Sequence, residues 1–363
     1  MILTFKYRLF PSKSQRRALE ATLSACRLLY NTALCERRDA WKKQNISVSY
    51  YDQAPQLKHN LLFETTGVRV YSQVQQNVLR RCDMAFQSFY RRCKRGKTAG
   101  YPRFQGYRRY NSFTYPQSGF SVSDDNRVSL SGIGSVHCKM HRSMHGTIKT
   151  LTITREDDKW FACFACEVAT TSKAIHRDRV IALDVGLEKF ITDNQCDTID
   201  NPRLYRKAEK KLARVQRRLQ RCCSRKNHKA VRRAYRAIRN KRNDFLHKIT
   251  TSIIKKYDVI CVENLSIKQM IATAPTSLRK SIYDAGWGRF FDMLRYKAEW
   301  AGSQLIEVPP QYTSQTCPSC GVVRKKKLSE RKHCCPDCGY TTTRDHAASQ
   351  VIMGRGLASL DSG

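Results

Sequence analysis

The chain has 363 residues, 67 of them lysine or arginine and 30 aspartate or glutamate, for a formal charge of +37. That length allows two or three domains with buried cores, and so large a cationic excess is the footprint of a polyanion, with nucleic acid ahead of an anionic membrane surface. A hydrophobic content of 41% with 10% aromatics excludes a disordered basic tail, and no apolar run is long enough for a transmembrane helix.

The start, MILTFKYRLFPSK, lacks the layout of an export signal, so a cytoplasmic protein with no membrane partner is expected. Residues 2–9 alternate apolar and polar positions, which predicts a strand ended by Pro11. Ser12 and Gln15 form a capping-box pair for a helix to about Lys43, with Leu19, Leu23, Cys26, Leu29, Tyr30 and Ala33 on its apolar face. Further helices are expected over about 52–62 and 68–94, the latter with Val70, Val74, Val78, Met84 and Phe89 inward.

From Ser112 to Val168 short alternating runs separated by Gly, Asp and Asn turns predict an antiparallel barrel or sandwich. The isolated first strand is expected to join it, with the helical module as an insertion. Tyr101–Tyr115 mixes tyrosines with Arg103, Arg108 and Arg109. Such a stretch suits a single-stranded nucleic acid, or equally a barrel edge whose rings pack inward.

After Arg179 the pattern turns to strand–helix–strand. VIALDVG and KFITD read as strands, and residues 203–256 then hold 21 Lys/Arg against Glu209 and Asp244 alone. Tyr205, Ala208, Leu212, Val215, Leu219 and Cys222 repeat at spacings of three and four, the seam of a helical hairpin turning near Ser224–Asn227. A face this one-sided in charge points to phosphate contact. A buried strand YDVICVENL, a helix over about 286–301, a strand SQLIEVP, a cysteine cluster and a helix from Asp345 close the chain.

Two constellations carry chemistry. Cys317-Pro-Ser-Cys320-Gly and Cys335-Pro-Asp-Cys338-Gly are paired knuckles that set four thiolates around one structural Zn²⁺, with no open coordination position. Cys334 adjoins the second pair, but Cys335 keeps its frame. The other cysteines, such as Cys26, Cys82, Cys138 and Cys261, sit singly and read as buried reduced thiols. The second constellation is acidic. Asp184 interrupts one apolar run, Glu263 ends another, and Asp345 opens the last helix. Acids at the carboxyl ends of buried strands lie where open α/β sheets bind ligands, and carboxylates suit Mg²⁺. Taken alone, Asp345 also suits a helix N-terminus, and Glu263 a buried arginine partner. Tyr312-Thr313-Ser314-Gln315 offers hydroxyl and amide donors for a phosphate, or is simply the lead-in to the cysteine knuckles.

The segments YRLFPSKSQRRALEATLSACRLLYNTAL, GYPRFQGYRRYNSFTYPQSGF, KWFACF, ALDVGLEKFIT, VENLSI, PPQYTSQTCPSCG, CPDCG and RDHAA, in this order, resemble the TnpB family of insertion-sequence proteins, relatives of the type V CRISPR effectors. The likeness runs over nearly the whole chain. It implies a multidomain α+β fold, in which an N-terminal wedge β-barrel (1–10 and 106–175) carries an inserted helical recognition module (11–105). A RuvC-like, RNase H-type nuclease domain (176–363) follows, with the basic hairpin at 203–256 and a zinc-ribbon insertion at 312–341. It further implies an RNA-guided, Mg²⁺-dependent DNA endonuclease, with Asp184, Glu263 and Asp345 as catalytic metal ligands and Cys317, Cys320, Cys335 and Cys338 as the zinc set. Its partners would be one guide RNA from the transposon end and double-stranded target DNA beside a short transposon-adjacent motif. A nuclease-silent RNA-guided repressor and a transposase acting on DNA ends are the alternatives. The family commonly reads Asp-Arg-Asp then Asn-Ala-Ala around the third acid, where this chain has Thr343-Arg344-Asp345-His346-Ala347-Ala348. The departure implies weaker support around a retained acid.

Overall fold

The computed structural model describes residues 1–59, 67–170, 174–176, 178–327 and 330–361. The chain divides into two compact units, Met1–Ala169 and Thr170–Gly363.

In the first unit, β1 (Ile2–Phe10) buries every second residue, Leu3, Phe5, Tyr7 and Leu9. It lies inside a seven-stranded antiparallel sheet with β2 (Ser112–Tyr115), β3 (Phe120–Ser123), β4 (Arg127–Leu130), β5 (Gly134–Lys139), β6 (Thr147–Glu156) and β7 (Lys159–Glu167), in the order β2-β6-β7-β1-β5-β4-β3. Phe5 sits opposite Phe164 of β7, and Leu9 opposite Cys138 of β5. The first strand therefore bridges the two halves of the sheet, and Tyr115 of one edge strand packs its ring against Phe120 of the other. Phe113, Tyr115, Leu151, Trp160 and Phe164 fill the core, each contributing about 1.5–3 kcal/mol by leaving water.

Between β1 and β2 the chain is helical. Helix α1 (Lys13–Gln44) starts on the full Ser12–Gln15 capping box and stops where Asn45 turns left-handed. A short helix α2 (Tyr50–Gln53) and a 3-10 turn (Pro55–His59) replace the expected helix over 52–62, whose end lies outside the described residues. Helix α3 (Ser72–Lys94) buries Val74, Val78, Leu79, Cys82 and Phe86. Met84, expected inward, is 54% exposed. It stands two residues from both Cys82 and Phe86, and about 100° per residue puts it on the opposite side of the helix.

The second unit is a five-stranded sheet ordered β10-β9-β8-β11-β12, from β8 (Val180–Val185), β9 (Lys189–Asp193), β10 (Thr198–Asp200), β11 (Val259–Glu263) and β12 (Gln304–Val308). β8, β11 and β12 run parallel, while β9 is antiparallel to both its neighbours. Both faces of the inner strands β8 and β11 are covered, so these two read as near-continuous apolar runs rather than as alternations. Ile181, Leu183, Ile260 and Val262 pack with Phe290 and Leu294 of one helix and Leu246 of another. Val180, Ala182, Val259 and Cys261 pack on the opposite side with Ile352.

The helices are α4 (Leu204–Arg221), α5 (Arg225–Lys256), α6 (Ile267–Thr273), α7 (Thr276–Ala285), α8 (Trp287–Ala301) and α9 (Arg344–Asp361). α4 and α5 form the expected hairpin, with Ser224 capping α5 through the Asn227 amide. Its root is fixed by buried Asp284, which accepts from the Tyr205 amide and pairs with Arg242 at 2.9 Å. No described helix is long and apolar enough to cross a membrane.

Candidate active site and metal centre

Asp184 is the fifth residue of β8 and Glu263 the last of β11. Because the strands run parallel with Leu183 opposite Val262, both carboxylates leave the sheet at its carboxyl end. Asp345 stands in the first turn of α9, the helix packed on β8. The structure thus brings all three predicted acids into one electrostatic neighbourhood. Burial pushes the Asp184 carboxyl well above the usual carboxylate range, and the charges of Glu263 and Asp345 add to this, against Arg344 and the Val185 amide. Glu263 is also raised by burial, against a hydrogen bond from Thr313 and the charge of Arg355.

Among the described residues none of the three acids has an ion-pair partner within 4.0 Å. A buried carboxyl whose proton affinity is raised by two neighbouring acids, none of them paired with a cation, belongs to a donor set suited to a hard, oxygen-seeking ion. Their oxygens do not all approach within 4.8 Å, a closeness reached among the described residues by the four cysteines.

The loop after β12, whose Tyr312-Thr313-Ser314-Gln315 the sequence marks only as a set of donors, braces this site. Thr313 Oγ1 donates to Glu263 Oε1, fifty residues away, and lies 3.0 Å from the Pro310 carbonyl. Arg355 Nη1 donates to the carbonyls of Pro309 (2.9 Å) and Gln311 (2.8 Å), and Arg344 Nη2 donates to Ser314 Oγ (3.1 Å). Tyr312 at the tip is left-handed, with φ 62. A residue with a Cβ pays about 1–2 kcal/mol for that conformation. Its carbonyl accepts from the Gln315 and Thr316 amides (both 2.9 Å) and from Thr316 Oγ1 (2.8 Å), which hold it there.

His346, where the sequence departs from the family pattern, ties α9 to the turn after β9. Its Nε2 lies 3.2 Å from the Asn194 carbonyl, which can only accept, so Nε2 carries the proton. Nδ1 then accepts from Thr342 Oγ1 at 2.8 Å. Asn194 Oδ1 in turn accepts from the Ala182 amide of β8 at 2.8 Å, linking the third acid's helix to the first acid's strand.

The four predicted cysteines converge. Cys317 and Cys338 sulfurs are 3.6 Å apart and Cys320 and Cys335 sulfurs 3.5 Å. Four sulfurs each about 2.3 Å from one tetrahedral ion are about 3.8 Å apart, so the group fits. Gly321 (φ 78) and Gly339 (φ 71) make the left-handed turn after each pair, donating back to Cys317 and Cys335. Thiols this close share charge. Cys338, held down by the Tyr340 amide, titrates at about 7, whereas Cys320, despite the Val322 amide, is pushed up to about 12 by desolvation and its thiol neighbours. Cys334 is exposed on β13 (Lys332–Cys334), paired to β14 (Thr341–Thr343), and stays outside the group. Burial pushes the thiols of Cys26 to about 12 and of Cys82, Cys138 and Cys261 to about 11, as expected of inert core thiols.

The aromatic–basic stretch divides between its two readings. Tyr110, Phe113 and Tyr115 are buried, while Tyr101, Phe104 and Tyr107 are at least 42% exposed. Arg38 lies 5.1 Å over Phe104, and Arg155 lies 4.8 Å over Tyr107. On the hairpin Arg214, Arg217, Arg218 and Arg221 are exposed along α4.

Three segments match known families: residues 1–45 a "Helix-turn-helix domain", 163–274 a "Probable transposase" family of the OrfB/IS605 type, and 287–352 a "Cas12f1-like, TNB domain". The first of these segments folds here as β1 and a single long helix. Asp184 and Glu263 fall in the second, and Thr313, Asp345 and the four cysteines in the third. The chain is 29% identical to "Putative RNA-guided DNA endonuclease InsQ" of Escherichia coli (strain K12), covering 99% of this chain and 93% of that one. It is 29% identical to a Streptomyces pristinaespiralis protein named without the last word, covering 98% and 89%. The Cas12f1 chain of a Cas12f1–sgRNA–target DNA complex shares its fold, with a TM-score of 0.59 over 97% of this chain and 98% of that one at 12% identity. With the family's segments in their order along a fold shared with Cas12f1, the chain belongs to the TnpB family.

Proposed function

We propose that the protein is an RNA-guided DNA endonuclease of an insertion sequence, working in the cytoplasm as one protein per guide RNA. The observation that carries the reading is the sheet order β10-β9-β8-β11-β12, with Asp184 and Glu263 ending adjacent parallel strands and Asp345 facing them from α9. That arrangement supports a RuvC-like, RNase H-type nuclease domain. The seven-stranded sheet with meeting edges supports a wedge barrel, with α1 to α3 as the recognition module.

Asp184, Glu263 and Asp345 would hold two Mg²⁺ ions, which when bound activate a water and stabilise the leaving oxygen of a phosphodiester. Thr313 keeps one Glu263 oxygen aimed by its hydrogen bond, and Arg344 and Arg355 hold the loop while lending positive charge to the acids. Cys317, Cys320, Cys335 and Cys338 would hold a structural Zn²⁺ that fixes the ends of the 312–341 insertion. The exposed cations of the α4–α5 hairpin and the rings near Tyr101–Tyr107 suit backbone and stacking contacts, leaving base pairing to choose the target and the protein to read a short flanking motif. The guide RNA would come from the transposon end.

The test is to purify the protein from cells carrying its own locus, sequence the accompanying RNA, and offer a matching labelled duplex with Mg²⁺. The expected result is double-strand cleavage that Asp184→Ala abolishes while nucleic-acid binding stays nearly intact. Cleavage that survives Asp184→Ala overturns the site. A target bound but left whole by the parent protein returns the repressor reading, and strand-transfer products return the transposase.

A further inference from the structure

Tyr312 combines features that ordinary packing does not explain. Its backbone is left-handed at φ 62, its carbonyl is held by three hydrogen bonds, and the residue as a whole is 60% exposed. A protein that only needed a turn here would place glycine or asparagine. The neighbouring residue, one Cα step of about 3.8 Å away, is the Thr313 that grips Glu263. Arg355 clamps the loop just before the tip, and Arg344 clamps it just after. The backbone that carries the ring is thereby tied to carboxylate position.

The geometry points to Tyr312 as a stacking platform for a nucleobase of the DNA strand being cut, flanking the phosphate held at Asp184, Glu263 and Asp345. The inference rests on the nuclease reading and gives it a positioning residue. In an RNA-guided complex the displaced DNA strand is single, so its bases are unpaired and offer a π-face to an exposed ring beside the acids. A ring carried on so firmly held a backbone can fix which phosphate enters the site, a task that a ring on a mobile loop would not perform. DNA is favoured over the guide because Tyr312 is next in the chain to Thr313, the residue that grips Glu263.

Two variants separate ring from backbone. Tyr312→Gly keeps the left-handed turn without strain and removes the ring, and Tyr312→Phe keeps the ring and removes the hydroxyl. In the RNA-loaded full chain, Tyr312→Gly is expected to slow cleavage about tenfold, the loss typical of one stacked base, and to scatter the cut positions. Tyr312→Phe is expected to cut at the parental position and within about twofold of the parental rate. An abasic residue scanned along the target strand should reproduce the loss at one position, with no further loss in Tyr312→Gly. Parental cleavage by Tyr312→Gly, or losses that multiply, would overturn the inference. A second arm does not depend on cleavage. In an Asp184→Ala background, 2-aminopurine scanned along the DNA should be quenched at one position, with quenching lost in Tyr312→Gly and kept in Tyr312→Phe. Quenching lost only from probes placed in the RNA, or unchanged in both strands, sinks the proposal. A parent that cuts nothing sinks the nuclease reading, while this fluorescence still decides the stacking.

Discussion

Asp184 holds its proton more tightly in the folded chain than it would unfolded, because burial and two neighbouring acids oppose its charge. Without divalent ions, its contribution to folding is therefore fully present below the ordinary carboxylate range and is lost as pH rises through the raised value. Asp184→Asn removes that titration. The metal-free variant is expected to melt above the parent at about pH 8, with the gap closing near about pH 4. Mg²⁺ should raise the parent's melting temperature and leave the variant's almost unchanged. A variant melting lower than the parent at both pH values would mean that the carboxylate is a structural hydrogen-bond partner. Asp184 was legible in the sequence because an acid inside VIALDV has few other uses. Thr313 was legible only as a nearby donor, since its partner lies fifty residues away and comes into reach only when β11 and the following loop are placed. The left-handed Tyr312 left no signal, because tyrosine is not a residue that announces such a turn.

At the level of elements, local chemistry was readable and pairing was not. The Ser12–Gln15 box predicts the start of α1 correctly because both partners lie within one turn. Met84 misled because a helix beginning at Ser72 sets a stripe through Val78, Cys82 and Phe86 that passes it by. The contact between α9 and β11 was hidden altogether. A Cβ on Gly356 would run into the Cys261 sulfur, so this helix lies unusually close to the sheet that presents Glu263. Gly356→Ala should cost about 1–3 kcal/mol by overpacking, measured by denaturant unfolding. It should also slow cleavage, because Asp345 rides on the same helix. Gly354→Ala, two residues away in open space, should be neutral or stabilising. Adding Cys261→Ala to the Gly356 variant should restore much of both losses. A Gly356→Ala protein with parental stability and cleavage would show that the helix position does not govern the acids.

For the molecule as a whole, a charge of +37 on 363 residues sets the terms on which it meets a polyanion. Binding of a short unrelated DNA duplex is expected to weaken by at least about 10³-fold between about 50 and 200 mM salt, as counterion release from several phosphates requires. A salt slope near zero would mean that the cations are spent within the fold. The position of β1 could be guessed from its isolation, but its place between β7 and β5 could not, because those partners lie well over a hundred residues on. That placement also matters during translation. At about 5–20 residues per second, β1 leaves the ribosome roughly 8–30 seconds before β7 has been made. For that interval Leu3, Phe5, Tyr7 and Leu9 have no sheet to enter, and Lys6 and Arg8 stand between them along the strand. Charges at alternate positions discourage such a lone strand from pairing with the same strand on a neighbouring nascent chain. The cations that the finished protein turns outward thus guard its first strand before there is a fold to protect.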